Sequence, residues 1–167
     1  MLTESLIQEF ERESATTRRV LERVPQDRLS WKPHAKSMSV GTLAMHVATS
    51  PGFISAWALK DSVEMGGDMT GPPEPTSTAD LLAAHDEGVK KTTAALTAIG
   101  DAGLMKDWKM TTPDGSTIMG MPKVALIRSI VLNHVYHHRG QLSVYLRLLD
   151  VPVPSIYGPS ADEAPFR

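Results

Sequence analysis

Two histidines of the segment HVYHH, His134 and His138, stand four residues apart. On a helix that spacing puts them about 40° apart around the axis and about 6 Å apart along it, so two imidazoles can reach one ion. A metal site that does chemistry usually has three protein ligands and one open position, so a third ligand is wanted. His46 supplies it, because it falls on a helical stripe between Leu43 and Ser50. Burying three stripe histidines in one small chain is costly unless they share a partner, which favours an ion over three separate core histidines. His46, His134 and His138 are therefore the candidate metal ligands. Neutral imidazoles suit zinc, nickel, copper or iron, with zinc or nickel expected first.

The remaining polar interruptions of the apolar stripes leave alternatives open. His85 fits either a hydrogen-bonded core role or contact with a metal or substrate, and His137 fits either a bond to a ligand histidine or the surface. His34 lies in WKPHAKS, which reads as a solvated loop. Gln141 and Arg139 either orient a ligand or serve as a cap of the polar core and a surface or interface residue. Tyr145 and Tyr157 either line a pocket or pack as half-buried aromatics.

Several chemistries are excluded by what the chain lacks. HVYHH carries valine where HExxH has glutamate and histidine where HxxEH has its glutamate, so neither zinc-protease motif is present. There is no GxSxG elbow, and Gly66-Gly67 followed by Pro72-Pro73 does not lead from a strand into a helix as a phosphate loop would. The chain has no cysteine, which removes disulfides, thiolate ligands and a catalytic thiolate. Any thiol chemistry needs a thiol from outside.

Helices must position these residues, and four segments have the periodicity for it. The first, about 3 to 24, carries Leu6, Phe10, Thr17, Leu21 and Val24 and ends at Pro25. The second runs from a cap at Ser39 through Leu43, His46, Ser50, Phe53 and Trp57 to the Met65-Gly66-Gly67 break, with Pro51 inside. The third, capped by Thr78 or Asp80, carries Leu82, His85, Val89, Thr92, Leu96 and Ile99 and stops at Gly100. The fourth, about 122 to 149, keeps Val124, Ile127, Val131, His134, His138, Gln141, Tyr145 and Leu148 at three- and four-residue steps. Before it, TPDGST places an Asp-Gly turn between two short strand-like runs, which predicts a hairpin. After it, VPVPSIYGPSADEAPFR reads as an extended tail that leaves the helices.

These elements predict an all-α, antiparallel four-helix bundle forming one domain over residues 1–167, with a short loop or hairpin before the last helix. Leu43, Phe53, Leu82, Leu96, Ile127, Val131 and Leu148 are the expected core, and Leu132 and Val144 the expected outer apolar positions. With 41% hydrophobic and 22% charged residues in 167, the composition is globular. A net charge of -2 without a Lys/Arg block lacks the footprint of a nucleic-acid binder. The N-terminal MLTESLIQEFERES lacks the features of a signal peptide and no apolar run approaches a membrane span, so a soluble cytoplasmic protein is expected.

The segments SMSVGTLAMHVA, residues 37 to 48, and NHVYHHRGQLSVYLRLLDVPVPSIYGPSADE, residues 133 to 163, resemble the DinB family, also called DinB/YfiT-like. The resemblance spans nearly the whole chain. It implies a four-helix bundle, often a homodimer, with a divalent metal held by one histidine of the second helix and two of the fourth. Matched residue by residue these are His46, His134 and His138. It also implies kinship with metal-dependent transferases that use low-molecular-weight thiols such as bacillithiol or mycothiol. The expected function is activation of such a thiol for transfer to a small electrophile. A metal-dependent hydrolase and a non-catalytic metal or small-ligand binding module are the alternatives, and a fourth ligand such as His85 would favour the last.

Overall fold

Side-chain caps set where the two central helices begin. Ser39 Oγ accepts the Thr42 N–H at 3.0 Å ahead of Val40–Ala58. Ser77 Oγ accepts the Asp80 N–H at 3.1 Å while Asp80 Oδ2 accepts the Ser77 N–H at 3.0 Å, a reciprocal capping box ahead of Thr78–Leu104. Thr78 and Asp80 thus lie inside the first turn, and Ser77 is the cap.

The computed structural model describes residues 1–66 and 71–164. It is mostly helical: α1 (Leu2–Leu21), α2 (Val40–Ala58), α3 (Thr78–Leu104), and a last stretch made of α4 (Lys123–Leu126), a π-helical segment (Ile127–Leu132) and α5 (Asn133–Leu148). α2 and α1 each pack on both α3 and α5. α2 runs through Pro51 as one helix but ends at Ala58, short of the expected glycine break, because Ser62–Glu64 forms strand β1. α3 passes Gly100 instead of stopping there: that glycine takes φ 63°, a kink a side chain would resist, and helix resumes to Leu104.

The hairpin is present as β2 (Asp107–Thr111) and β3 (Thr117–Pro122), antiparallel. β1 pairs with β2 in parallel, giving a small three-stranded sheet in the order β1-β2-β3 that the sequence pattern did not indicate. Trp108 and Met110 of β2 face inward and join Phe10, Ile54, Leu96, Leu126 and Ile127 in one core cluster. A second cluster gathers Leu21, Leu43, Val47, Leu81, Leu142 and Leu146.

The last helical stretch departs from its expected register by one residue. A π turn closes i→i+5 rather than i→i+4, so it carries an extra residue and turns the following face by about 100°. Val131 and Leu132 are both buried, and thereafter the core side chains are Val135, Arg139, Leu142 and Leu146, each one place beyond the stripe His134, His138, Gln141 and Tyr145. Leu132 is accordingly interior, not outer, and Leu148 is 57% exposed. Phe53 is 51% exposed rather than core, and Leu82 is half-buried. Leu43, Leu96, Ile127 and Val131 are buried as expected.

The tail folds back instead of leaving. Val151, Val153 and Ile156 pack on the second cluster. Asp162 accepts the Val153 N–H at 2.9 Å and pairs with Arg147, and Glu163 pairs with Arg19. No helix among the described residues is long and apolar enough to cross a membrane.

α2 and α3 approach most closely at Gly52 and Gly88, where a side chain on Gly88 would stand 2.6 Å from the Ala48 carbonyl oxygen. Gly88→Ala is expected to lower stability by about 1–3 kcal/mol by forcing the helices apart. A denaturant midpoint equal to that of the unsubstituted protein would contradict it.

Candidate metal centre

The one-residue shift decides where the histidines point. His134 and His138 leave the centre of the core and sit half-buried at its edge, beside His46 of α2. His46 Nε2 lies 3.3 Å from His134 Nε2, and His138 Nε2 lies 3.1 Å from the same atom. Nitrogens about 2.0–2.1 Å from a tetrahedral ion would be about 3.3 Å apart, so the spacing fits a shared ion. Among the described residues the cluster holds these three and no fourth histidine or carboxylate.

Gln141 fixes one tautomer. Its Oε1 can only accept, and it lies 2.7 Å from His138 Nδ1, so the proton resides on Nδ1 and Nε2 offers a lone pair. The Nδ1 of His134 is buried without a hydrogen-bond partner. Three ring nitrogens this close repel through their lone pairs unless a proton or a cation lies among them.

Electrostatics favour the cation. Burial first, and the neighbouring His138 second, hold His46 below the ordinary imidazole range. His134 is pushed down to about 4 by burial and then by His138, His46 and His137. Burial lowers His138 as well, against the opposing bond to Gln141. All three imidazoles are thus neutral at neutral pH and could each offer a lone pair to an ion. Histidines of the unfolded chain titrate near 6.5, so below that pH the unfolded chain binds more protons and stability falls as pH drops from about 6.5 to about 4. The melting temperature of metal-free protein is expected to decline already between about pH 6.5 and 5, ahead of most carboxylates. A flat profile there would contradict the assignment.

An open cavity of about 450 Å³ adjoins the cluster, lined by His46, Thr49, Ser50, Ile54, Ile130 and His134 together with Phe53, Trp57, Gly71 and Pro72. The exposure of Phe53 is explained here, since it forms wall rather than core. Sequence reasoning missed that role, although the spacing 46, 50, 53 and 57 already placed the wall on the His46 face of α2.

The other candidates lie elsewhere. His85 is buried between α1 and α3 against Asp86, beside a cavity of about 10 Å³ that has room for one water. His137 is exposed, its ring edge-on to His138 at 4.8 Å between centroids. His34 is exposed in its loop. Arg139 is buried and bonded to Glu13, Thr17 and Tyr157, so it and Tyr157 join α1, α5 and the tail, away from the cavity. Tyr145 packs edge-on against Trp31.

The sequence pattern of the DinB family matches residues 1–165. The chain belongs to the DinB family. Two similar proteins of Bacillus subtilis strain 168 are the uncharacterized protein YrdA, 24% identical over 94% of this chain and 89% of its own, and the uncharacterized protein YjoA, 29% identical over 78% and 80%. The crystal structure of a DinB-like protein from Bacillus cereus superposes with a TM-score of 0.73 at 24% identity, covering 92% of this chain and 97% of that one. That of YjoA gives 0.70 at 22% identity over 87% and 92%. The DinB fold, with four main helices, is therefore shared.

Proposed function

We propose that the chain is a divalent-metal protein in which His46, His134 and His138 hold the ion, zinc or nickel first, within an antiparallel four-helix bundle forming one domain. The observation that carries this reading is the convergence of three neutral imidazoles with a single tautomer fixed at His138 by Gln141. A bound divalent ion would supply acidification of a thiol or water, giving a nucleophile near neutral pH.

The proposed reaction is transfer of an external low-molecular-weight thiol to a small electrophile. The absence of cysteine makes an outside thiol necessary, and the open cavity beside His46 and His134 supports a substrate site. No described acidic group joins the three histidines, and His85 stands apart, which supports an open position over a closed structural site. The test is a thiol-transfer screen of metal-loaded protein with several thiols. Turnover only after thiol addition, and dependent on which thiol, is expected. Ester or amide turnover without thiol would replace this reading by a hydrolase, and inactivity throughout would replace it by a binding module.

We also propose a homodimer in the cytoplasm, supported by the exposed Val144 and Leu148 one turn apart on α5. Sedimentation equilibrium at micromolar concentration is expected to show the dimer; monomer alone would contradict it.

A further inference from the structure

We infer that the cavity beside His46 and His134 receives an uncharged aromatic group, which makes it the compartment of the electrophile rather than of an ionic thiol. Its wall is aromatic and rigid. Phe53 and Trp57 stand one turn apart on α2 and meet edge-to-face at 5.3 Å and 67°. Trp108 of β2 stacks behind Trp57 at 6.4 Å and 12°, and its indole N–H donates to the Trp57 carbonyl at 3.2 Å. This wall is tied to the sheet, so it is formed before a ligand arrives. Ile54 and Ile130 add aliphatic surface, and Phe53 remains half open to solvent, an apolar exposure that a ring seated against it would remove.

The polar groups of the cavity argue for neutrality. Among its described lining residues there is no Lys, Arg, Asp or Glu. In metal-free protein an ionic group entering would lose hydration without gaining a counter-charge from these side chains. The Thr49 hydroxyl is engaged by donating to the Met45 carbonyl at 2.8 Å, whereas Ser50 Oγ is buried without a partner. The histidine nitrogens are the remaining polar end, so the ring lies along Phe53 and Trp57 with its reactive substituent toward His46 and His134. That orientation and the assignment of the cavity to the electrophile rest on the proposed function. The preference for an uncharged ring stands on the cavity itself.

Three probes of one shape test this: 1-naphthalenemethanol, 1-naphthoate and 1-naphthylmethylammonium, titrated by calorimetry and tryptophan fluorescence into metal-free and metal-loaded protein. Saturable binding of the alcohol is expected, with both ions weaker by about tenfold or more in metal-free protein, where no bound cation can attract the carboxylate. Thr49→Trp, which fills the cavity, and Phe53→Ala, at an exposed position outside the packed core, are each expected to weaken the alcohol by about tenfold. His138→Ala separates the two readings, because His138 belongs to the histidine cluster but does not line the cavity, so the variant should remove the metal and leave the alcohol bound in metal-free protein. Equal or tighter binding of either ion to metal-free protein, no saturable binding of the alcohol, or indifference to both cavity variants would overturn the inference.

Discussion

Replacing His134 by alanine is expected to abolish stoichiometric binding of a divalent ion, read as metal per chain after loading and desalting. His134 Nε2 is the atom that both other histidines approach, at 3.3 and 3.1 Å, so its loss leaves His46 and His138 without the ligand between them. Three imidazoles make a site and two rarely hold a catalytic ion. His134→Ala also removes the group pushed down to about 4, by burial first and then by its neighbours. The decline in stability below about pH 6.5 should therefore become shallower in the same variant, while the fold persists. Full metal content in His134→Ala would be decisive against the assignment. Because protons compete for the same nitrogens, which the folded site holds below the ordinary imidazole range, affinity should fall as pH approaches about 4, and binding unchanged at a pH of about 4 would contradict imidazole ligands.

The largest expected loss of stability lies one residue beyond His138. Arg139 is fully buried, and its Nη2 donates to Glu13 Oε2 at 2.6 Å and to the Tyr157 hydroxyl at 2.6 Å, while Nη1 donates to the Glu13 carbonyl and to Thr17 Oγ1 at 3.0 and 3.1 Å. Tyr157 in turn donates to Glu13 Oε2 at 2.8 Å. The network is satisfied only as a unit. Arg139→Met would leave the largely buried Glu13 carboxylate without its counter-charge, at an expected cost of about 3–5 kcal/mol. Equilibrium denaturation reads this directly. The double variant Glu13→Gln with Arg139→Met should recover part of the loss, because the unpaired charge is then gone. A loss below about 1 kcal/mol for Arg139→Met would show that the pair is solvated and carries little.

The contrast between His138 and Arg139 also shows what the sequence could and could not convey. The four-residue step from His134 to His138 is a local property of a helix, and His46 lay on a legible stripe, so the three nitrogens that meet could be picked from spacing. The hairpin was legible for the same reason, since Asp114-Gly115 marks its turn. The π segment was not legible: its extra residue depends on which carbonyls the packed chain leaves available, and Val131 and Leu132 both being apolar gave no sign of it. That one residue moved Leu132 from the expected outside to the core and Leu148 from the expected core to the surface, while Val144 is exposed as expected. It put Arg139 inside and freed the histidines to face the cavity. Phe53 was read as core because an apolar stripe does not distinguish a packed wall from an open one. β1 and the docked tail depend on partners distant in sequence, Thr111 and Arg19 among them, which no local pattern encodes.

The central claim is that His46, His134 and His138 share one divalent ion. X-ray absorption at the metal edge of protein loaded with zinc or nickel tests it directly. About one ion per chain is expected, with about three imidazole nitrogens at about 2.0–2.1 Å and a further exchangeable light-atom ligand. A shell of oxygens without the outer-shell scattering of imidazole, or failure to retain any ion, would contradict it.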